Sequence, residues 1–209
     1  MEMIHKKTKI CFKFNGNIVN IPSKMYPLES NEYKVFTSQN TEEILDNKII
    51  NIFDNTEFNI GRCFTNSERL CTALNSIGYN AIQYVGWIFV GDVLPVHHSF
   101  VVLDNHVLDT VTYAISKDKD FWDSLRFLSH DKQYEEASEY IIKQREKLNH
   151  ETLIFGNVDP KCIYIGSPAT SKQGIERNKE LRTVYPEHPC FKDVHGNSTN
   201  LQDIVLKKL

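Results

Sequence analysis

Hydrophobic and polar positions alternate clearly at the start of the chain. Ile10, Phe12 and Phe14 fall at alternate positions, Asn15-Gly16 interrupts, and Ile18, Val19 and Ile21 resume. Asn-Gly between two apolar runs is a strong hairpin signal, so residues 8–21 are expected to form two antiparallel strands. Residues 22–31 carry Pro22, Pro27, Ser23, Ser30 and Asn31 and read as a loop. A short strand is expected over 32–37. Thr41 followed by Glu42-Glu43-Ile44-Leu45 reads as a capped helix start, and the Asn- and Asp-rich stretch 51–60 reads as irregular.

The period changes after Cys63. Leu70, Ala73, Leu74 and Ile77 fall at i, i+3, i+4, i+7, which predicts a helix from Cys63 to Ile77 with Gly78 as its C-terminal cap. Residues 80–91 are rich in β-branched and aromatic types and predict a strand. Two further strands follow, His98-Ser99-Phe100-Val101-Val102-Leu103 and His106-Val107-Leu108-Asp109. Residues 120–148 read as helical, 162–165 as a short strand, 173–185 as a polar helix ending before Pro186, and 201–209 as a last amphipathic turn. Strands and helices are partly segregated, which points to an α+β fold rather than alternating βαβ units. The whole chain of 209 residues is expected to form one domain, with a core at 59–113 and a C-terminal helical elaboration over 120–209.

Composition narrows the picture. A hydrophobic content of 41% supports a real core, and a net charge of −3 gives no reason to expect nucleic acid or an anionic membrane as partner. No apolar run approaches the ~20 residues needed to span a bilayer. The N-terminal stretch lacks the apolar segment of a secretory signal, so a cytoplasmic location is expected. Five cysteines lie scattered at 11, 63, 71, 162 and 190 without a C-x-x-C pair, which argues for reduced thiols over a disulfide framework or a zinc ribbon. His188, Cys190 and His195 match no standard zinc spacing, and Asp/Glu-rich loops of calcium-binding type are absent, so no metal or other cofactor is expected.

The candidate chemistry lies in the middle of the chain. Cys63 opens a helix, where unpaired backbone N–H groups and the positive end of the dipole favour negative charge. Those N–H groups could also stabilise an oxyanion on a carbon that the sulfur attacks. With Asp104-Asn105 as a two-residue turn, position 98 opposes 111. Asp109 then shares a face with His98 as a diagonal neighbour, at ~7–8 Å between Cα atoms. His97 points to the opposite face, so the spacing selects His98. Cys63 as nucleophile, His98 as base and Asp109 as orienter form the three-part logic of nucleophilic acyl chemistry. Tyr84 and Trp87 are candidates to wall the cleft, and Asn59 is a candidate oxyanion donor.

Three stretches resemble the transglutaminase-like superfamily, a branch of the papain-like cysteine fold: Gly61-Arg62-Cys63-Phe64 with its helix, Tyr84-Val85-Gly86-Trp87, and His98-Ser99-Phe100-Val101-Val102 with Val107-Leu108-Asp109-Thr110. The likeness covers residues 59–113, about a quarter of the chain. Phe100 stands where the family more often has Trp. The resemblance implies a helix led by the cysteine, packed on an antiparallel sheet that carries the histidine and the aspartate. It also implies a thiol hydrolase or acyltransferase working through a thioester on a peptide, a protein side-chain amide or a small acyl substrate. The short inter-strand segments favour a small amidase, peptidase or deamidase over a large calcium-dependent transglutaminase. A non-catalytic module that binds a peptide or small molecule on the same fold is the alternative.

Overall fold

The computed structural model describes residues 2–5, 9–14, 17–22, 34–44, 46–57, 62–90, 96–109, 156–158 and 162–184, with single positions at 132, 136, 139, 186 and 191. The helical stretch expected over 120–148 and the tail 201–209 lie outside the described residues apart from those single positions.

The first hairpin forms as expected. Strands β2 (Lys9–Phe14) and β3 (Asn17–Pro22) pair antiparallel with Phe14 opposite Asn17, so Asn15-Gly16 is the two-residue connection. Strand β1 (Glu2–His5), which alternation had not marked, pairs on the other side of β2 and completes a three-stranded sheet.

Next come β4 (Lys34–Phe36), α1 (Asn47–Asn55), α2 (Cys63–Ser76), β5 (Ile82–Val90), β6 (Val96–Leu103), β7 (His106–Leu108), β8 (Cys162–Pro168) and α3 (Ser171–Val184). The larger sheet runs β4-β8-β5-β6-β7, antiparallel throughout. The fold is α+β, as the order of patterns had indicated. The short strand expected over 162–165 forms as β8 and sits inside the sheet between β4 and β5, although it lies within the C-terminal stretch 120–209. A local pattern can mark a strand but not where in a sheet it inserts.

The start of α1 also differs from the reading. Thr41 does not cap a helix. Its hydroxyl donates to the Thr37 carbonyl at 2.8 Å and accepts from the Val158 N–H at 3.0 Å, tying this loop to a distant strand-like segment. The cap is Asp46, whose carboxylate accepts from the Lys48 N–H at 2.8 Å, and the helix occupies half of the stretch read as irregular. Ile49, Ile50 and Phe53 form its buried side.

Helix α2 ends where Gly78 was expected to end it. Gly78 adopts φ 97°, its N–H reaches the Asn75 carbonyl at 3.1 Å, and the Tyr79 N–H reaches the Leu74 carbonyl at 3.3 Å. These are the two bonds of a Schellman cap. The turn into β5 is pinned by the Asn75 side chain, which accepts from the Ala81 N–H at 2.7 Å and donates to its carbonyl at 3.0 Å.

The sheet separates two clusters. On one face, Val101, Leu103 and Leu108 meet Leu70 and Leu74 of α2 and the three buried residues of α1. Leu70 and Leu74 are fully buried, and truncating either to Ala would cost about 2–5 kcal/mol. On the other face lie Phe36, Tyr84, Ile88, Phe100, Val102, Val107 and Tyr164. The rings of Phe36 on β4 and Phe100 on β6 are 5.9 Å apart, although two strands separate them in the sheet order. A flat sheet would hold those strands ~14 Å apart, so the sheet curls, concave on this face.

Candidate active site

Cys63 is the first residue of α2 and is half-buried. Arg62 occupies the N-cap position and no side chain caps the helix; the first intrahelical bond runs from the Asn66 N–H to the Arg62 carbonyl at 2.8 Å. The amides of Cys63, Phe64 and Thr65 therefore have no acceptor within their own helix, and the positive end of the dipole lies at the sulfur.

A buried polar network holds this first turn in place. The Phe64 carbonyl accepts from the Ser171 hydroxyl at 2.7 Å and from Gln83 Nε2 at 3.0 Å. Gln83 Nε2 also lies 3.0 Å from Ser99 Oγ, and the Ser99 hydroxyl donates to the Tyr84 carbonyl at 3.0 Å. Ser171 is fixed in turn by the start of α3. Thr170 and Gln173 form a reciprocal capping box, with the Thr170 N–H donating to Gln173 Oε1 at 2.9 Å and the Gln173 N–H donating to Thr170 Oγ1 at 3.3 Å. That Thr-x-x-Gln signal places the helix start two residues before the expected position. Against the same turn, Gly174 allows close packing: a Cβ there would lie 2.6 Å from the Phe64 ring.

Strands β6 and β7 bring up the other two residues. Leu103 opposes His106, Val102 opposes Val107 and Val101 opposes Leu108, the register expected from a two-residue turn. Asp104 and Asn105 have φ 46° and 69°, as a type I′ turn requires. Asp109 follows directly after β7, and its Oδ2 lies 2.7 Å from His98 Nε2. The His98 and Asp109 side chains are 10% and 7% exposed. Asp109 Oδ2 also accepts from the Tyr164 hydroxyl at 2.9 Å.

The Cys63 side chain lies near enough to His98 to act on its charge. Nε2 is committed to Asp109, which leaves Nδ1 as the ring nitrogen available to another partner. Burial alone would push the imidazole pKa down. The Asp109 charge and hydrogen bond, with the Cys63 side chain adding to them, outweigh it and raise the pKa to about 10. His97 behaves oppositely: burial, followed by the charges of Arg177, His98 and Arg182, lowers it to about 3. Its Nδ1 accepts from Asn178 Nδ2 at 3.0 Å, and its ring meets Trp87 edge-on at 5.4 Å and Phe64 at 5.8 Å.

The structure thus brings together Cys63, His98 and Asp109. Tyr84 and Trp87, the candidates to wall the cleft, are buried at 2% and 0% exposure and lie on opposite faces of β5. Trp87 supports His97, and Tyr84 stacks on Phe100 at 5.7 Å. Between them, Gly86 faces Gly166 and His98 across the ladders; a Cβ at Gly86 would lie 1.9 Å from the Ile165 carbonyl oxygen, so β8 can approach only a glycine here. Asn59, His188, Cys190 and His195 lie outside the described residues. Tyr164, Gln83 and Ser171 escaped the sequence reading. A strand was expected around Tyr164, but its contact with Asp109 depends on where β8 enters the sheet.

Among the described residues, no group of three His, Cys, Asp or Glu side chains is placed to hold a metal ion, and no helix is long and apolar enough to cross a membrane. Compared with the models of known protein families, with curated proteins and with solved structures, the chain matches none.

Proposed function

We propose that this chain is a thiol-dependent hydrolase or acyl transferase of transglutaminase-like type that acts on an amide or related acyl bond. One observation carries the reading: an imidazole bonded to a carboxylate through Nε2 at 2.7 Å is also acted on by the cysteine that opens a helix. The imidazolium beside that sulfur and the helix dipole both stabilise the negative charge that an attacking sulfur carries.

The reaction begins with Cys63 Sγ attacking the carbonyl carbon. A C–S bond forms while the carbonyl π electrons move to oxygen, where backbone N–H groups of the first α2 turn can receive the charge. Collapse of this intermediate breaks the C–N bond, and His98 gives its Nδ1 proton to the leaving amine. The product is a thioester and a neutral imidazole. Water then loses a proton to Nδ1 as its oxygen attacks the thioester. The C–S bond breaks, which releases a carboxylic acid and restores the thiolate–imidazolium pair. An amine in place of water gives acyl transfer. Asp109 remains ionised throughout and holds the ring in orientation.

The test combines an acyl-electrophile thiol probe with mass spectrometry, and turnover of a panel of peptide and glutamine side-chain amides. Cys63 should be labelled well ahead of Cys11, Cys71, Cys162 and Cys190. Cys63→Ala should abolish turnover while the protein keeps its melting temperature. Turnover that persists in folded Cys63→Ala would end the proposal, and labelling without selectivity would favour the non-catalytic binding module.

A further inference from the structure

We propose that Tyr164 is a positioning residue, setting through Asp109 both the orientation and the proton affinity of His98; this rests on the reading of His98 as the base. The hydroxyl of Tyr164 and Nε2 of His98 both bond Asp109 Oδ2, at 2.9 and 2.7 Å. Asp109 lies just past the end of β7, where the described ladder with β6 stops. Pairing with β6 therefore does not by itself hold the carboxylate, and a second donor fixes it.

Tyr164 is well placed to be that donor. It is 4% exposed, opposite Ile88 of β5 and Phe36 of β4 in the ladders, and its ring packs edge-on against Phe100 at 4.8 Å. In a flat sheet β8 and β7 would be ~14 Å apart, beyond the joint reach of a Tyr and an Asp side chain. The curl closes that gap, so the bond reads the geometry of the sheet.

The electrostatic consequence has a definite sign. A second donor spreads the carboxylate charge and weakens its pull on the imidazolium. Removing it leaves a more basic carboxylate and a His98 that holds its proton more tightly. Among the described residues, the titratable groups facing His98 include Asp109 from the end of β7, Cys63 from α2, Tyr164 from β8 and the neighbouring His97 on its own strand. Arg177 and Arg182 of α3 act on the His97 side.

The experiment follows the His98 imidazole by NMR titration and, in parallel, the rate of Cys63 acylation across pH, in the full chain and in Tyr164→Phe. The His98 titration should move upward by about one unit. Acylation should slow by about tenfold, the worth of one charge-assisted hydrogen bond, with its alkaline limb displaced in the same direction. Phe36→Leu, which loosens the same cluster but leaves the hydroxyl, should lower the melting temperature and leave the titration in place. Should Tyr164→Phe not fold, 4-aminophenylalanine installed at position 164, a weaker donor that stays neutral across this range, should move the titration upward by a smaller amount. A folded Tyr164→Phe whose His98 titrates unchanged, or a Phe36→Leu that shifts it equally, would overturn the proposal. The NMR arm needs no turnover. A shifted titration with unselective Cys63 labelling would sink the proposed activity and leave the coupling of Tyr164 to His98 standing.

Discussion

His97 faces α2 and α3, with the rings of Phe64 and Trp87 against it and Asn178 donating to its Nδ1. His98, one residue on, faces Asp109 and the sulfur of Cys63. Both residues are nearly excluded from water, at 6% and 8% exposure. Yet one is driven neutral and the other holds its proton to about pH 10. Burial acts on both in the same direction; the difference is the partner. On one face the imidazole finds an amide and two distant cations, on the other a carboxylate. Strand alternation alone thus gives two identical side chains different charge states at neutral pH, one neutral and one cationic.

The sharpest way to test that contrast is to replace each histidine in turn. On the proposed function, His98→Gln should lower kcat/KM by about 1,000-fold or more, because both proton transfers run through that ring. His97→Gln should keep kcat/KM within about tenfold but lose stability by about 2–4 kcal/mol, since its packing against Phe64 and Trp87 is lost. Steady-state kinetics beside chemical denaturation separates the two; equal kinetic effects would break the comparison.

Next in size is the pH dependence of stability. Between pH 6.5 and about 3, the unfolded chain takes up a proton at His97 that the folded chain refuses, so stability falls as the solution is acidified through that window. At His98 the folded state keeps a proton that the unfolded state gives up above pH 6.5. Its contribution is complete below pH 6.5 and is lost as pH rises toward about 10. Each limb should slope by no more than about 1.4 kcal/mol per pH unit. Urea unfolding from pH 4 to pH 10 should show both limbs; His97→Gln should flatten only the acid one and His98→Gln only the alkaline one.

A smaller effect tests the packing that keeps His97 in place. Gly174→Ala gains about 1 kcal/mol of helix propensity, but the new methyl collides with Phe64 and with Val85. The net result should be a loss of about 1–3 kcal/mol, with slower acylation at Cys63 next to the displaced ring. The smallest effect lies at the turn that sets the register. Asn105→Ala and Asn105→Gly both lose the bond from Asn105 Nδ2 to the Asn40 carbonyl, but only Ala is also strained at φ 69°, so Ala should cost about 1 kcal/mol more than Gly. Thermal melts resolve both.

That turn explains much of what could be read in the sequence. Asp104-Asn105 fixes the pairing of β6 with β7, and the pairing puts Asp109 on the face of His98. Local rules sufficed because two residues of connection leave little freedom. The α2 helix was legible for a similar reason: its apolar period and its Gly78 cap agree. Thr41 misled because a buried hydroxyl that bonds Val158, 117 positions away, looks in sequence like a helix cap. Tyr164 stayed hidden because β8 pairs with β5 across more than 70 intervening residues, and nothing near it marks those partners. The convergence of His98 and Asp109 was encoded nearby, and the support beneath them was encoded far away.

The late insertion of β8 also has a temporal consequence. During synthesis β5, β6 and β7 emerge first, and the side of β5 that later meets β8 carries backbone groups without their final partners. Until residue 168 has left the ribosome, the central ladder cannot close, and Asp109 lacks the hydroxyl that steadies it. Long-range pairing of this kind slows folding and leaves an open edge that invites wrong pairings. A nascent chain would therefore carry its thiol before β8 completes the surroundings of Asp109, and on the proposed function chemistry at Cys63 would wait for β8.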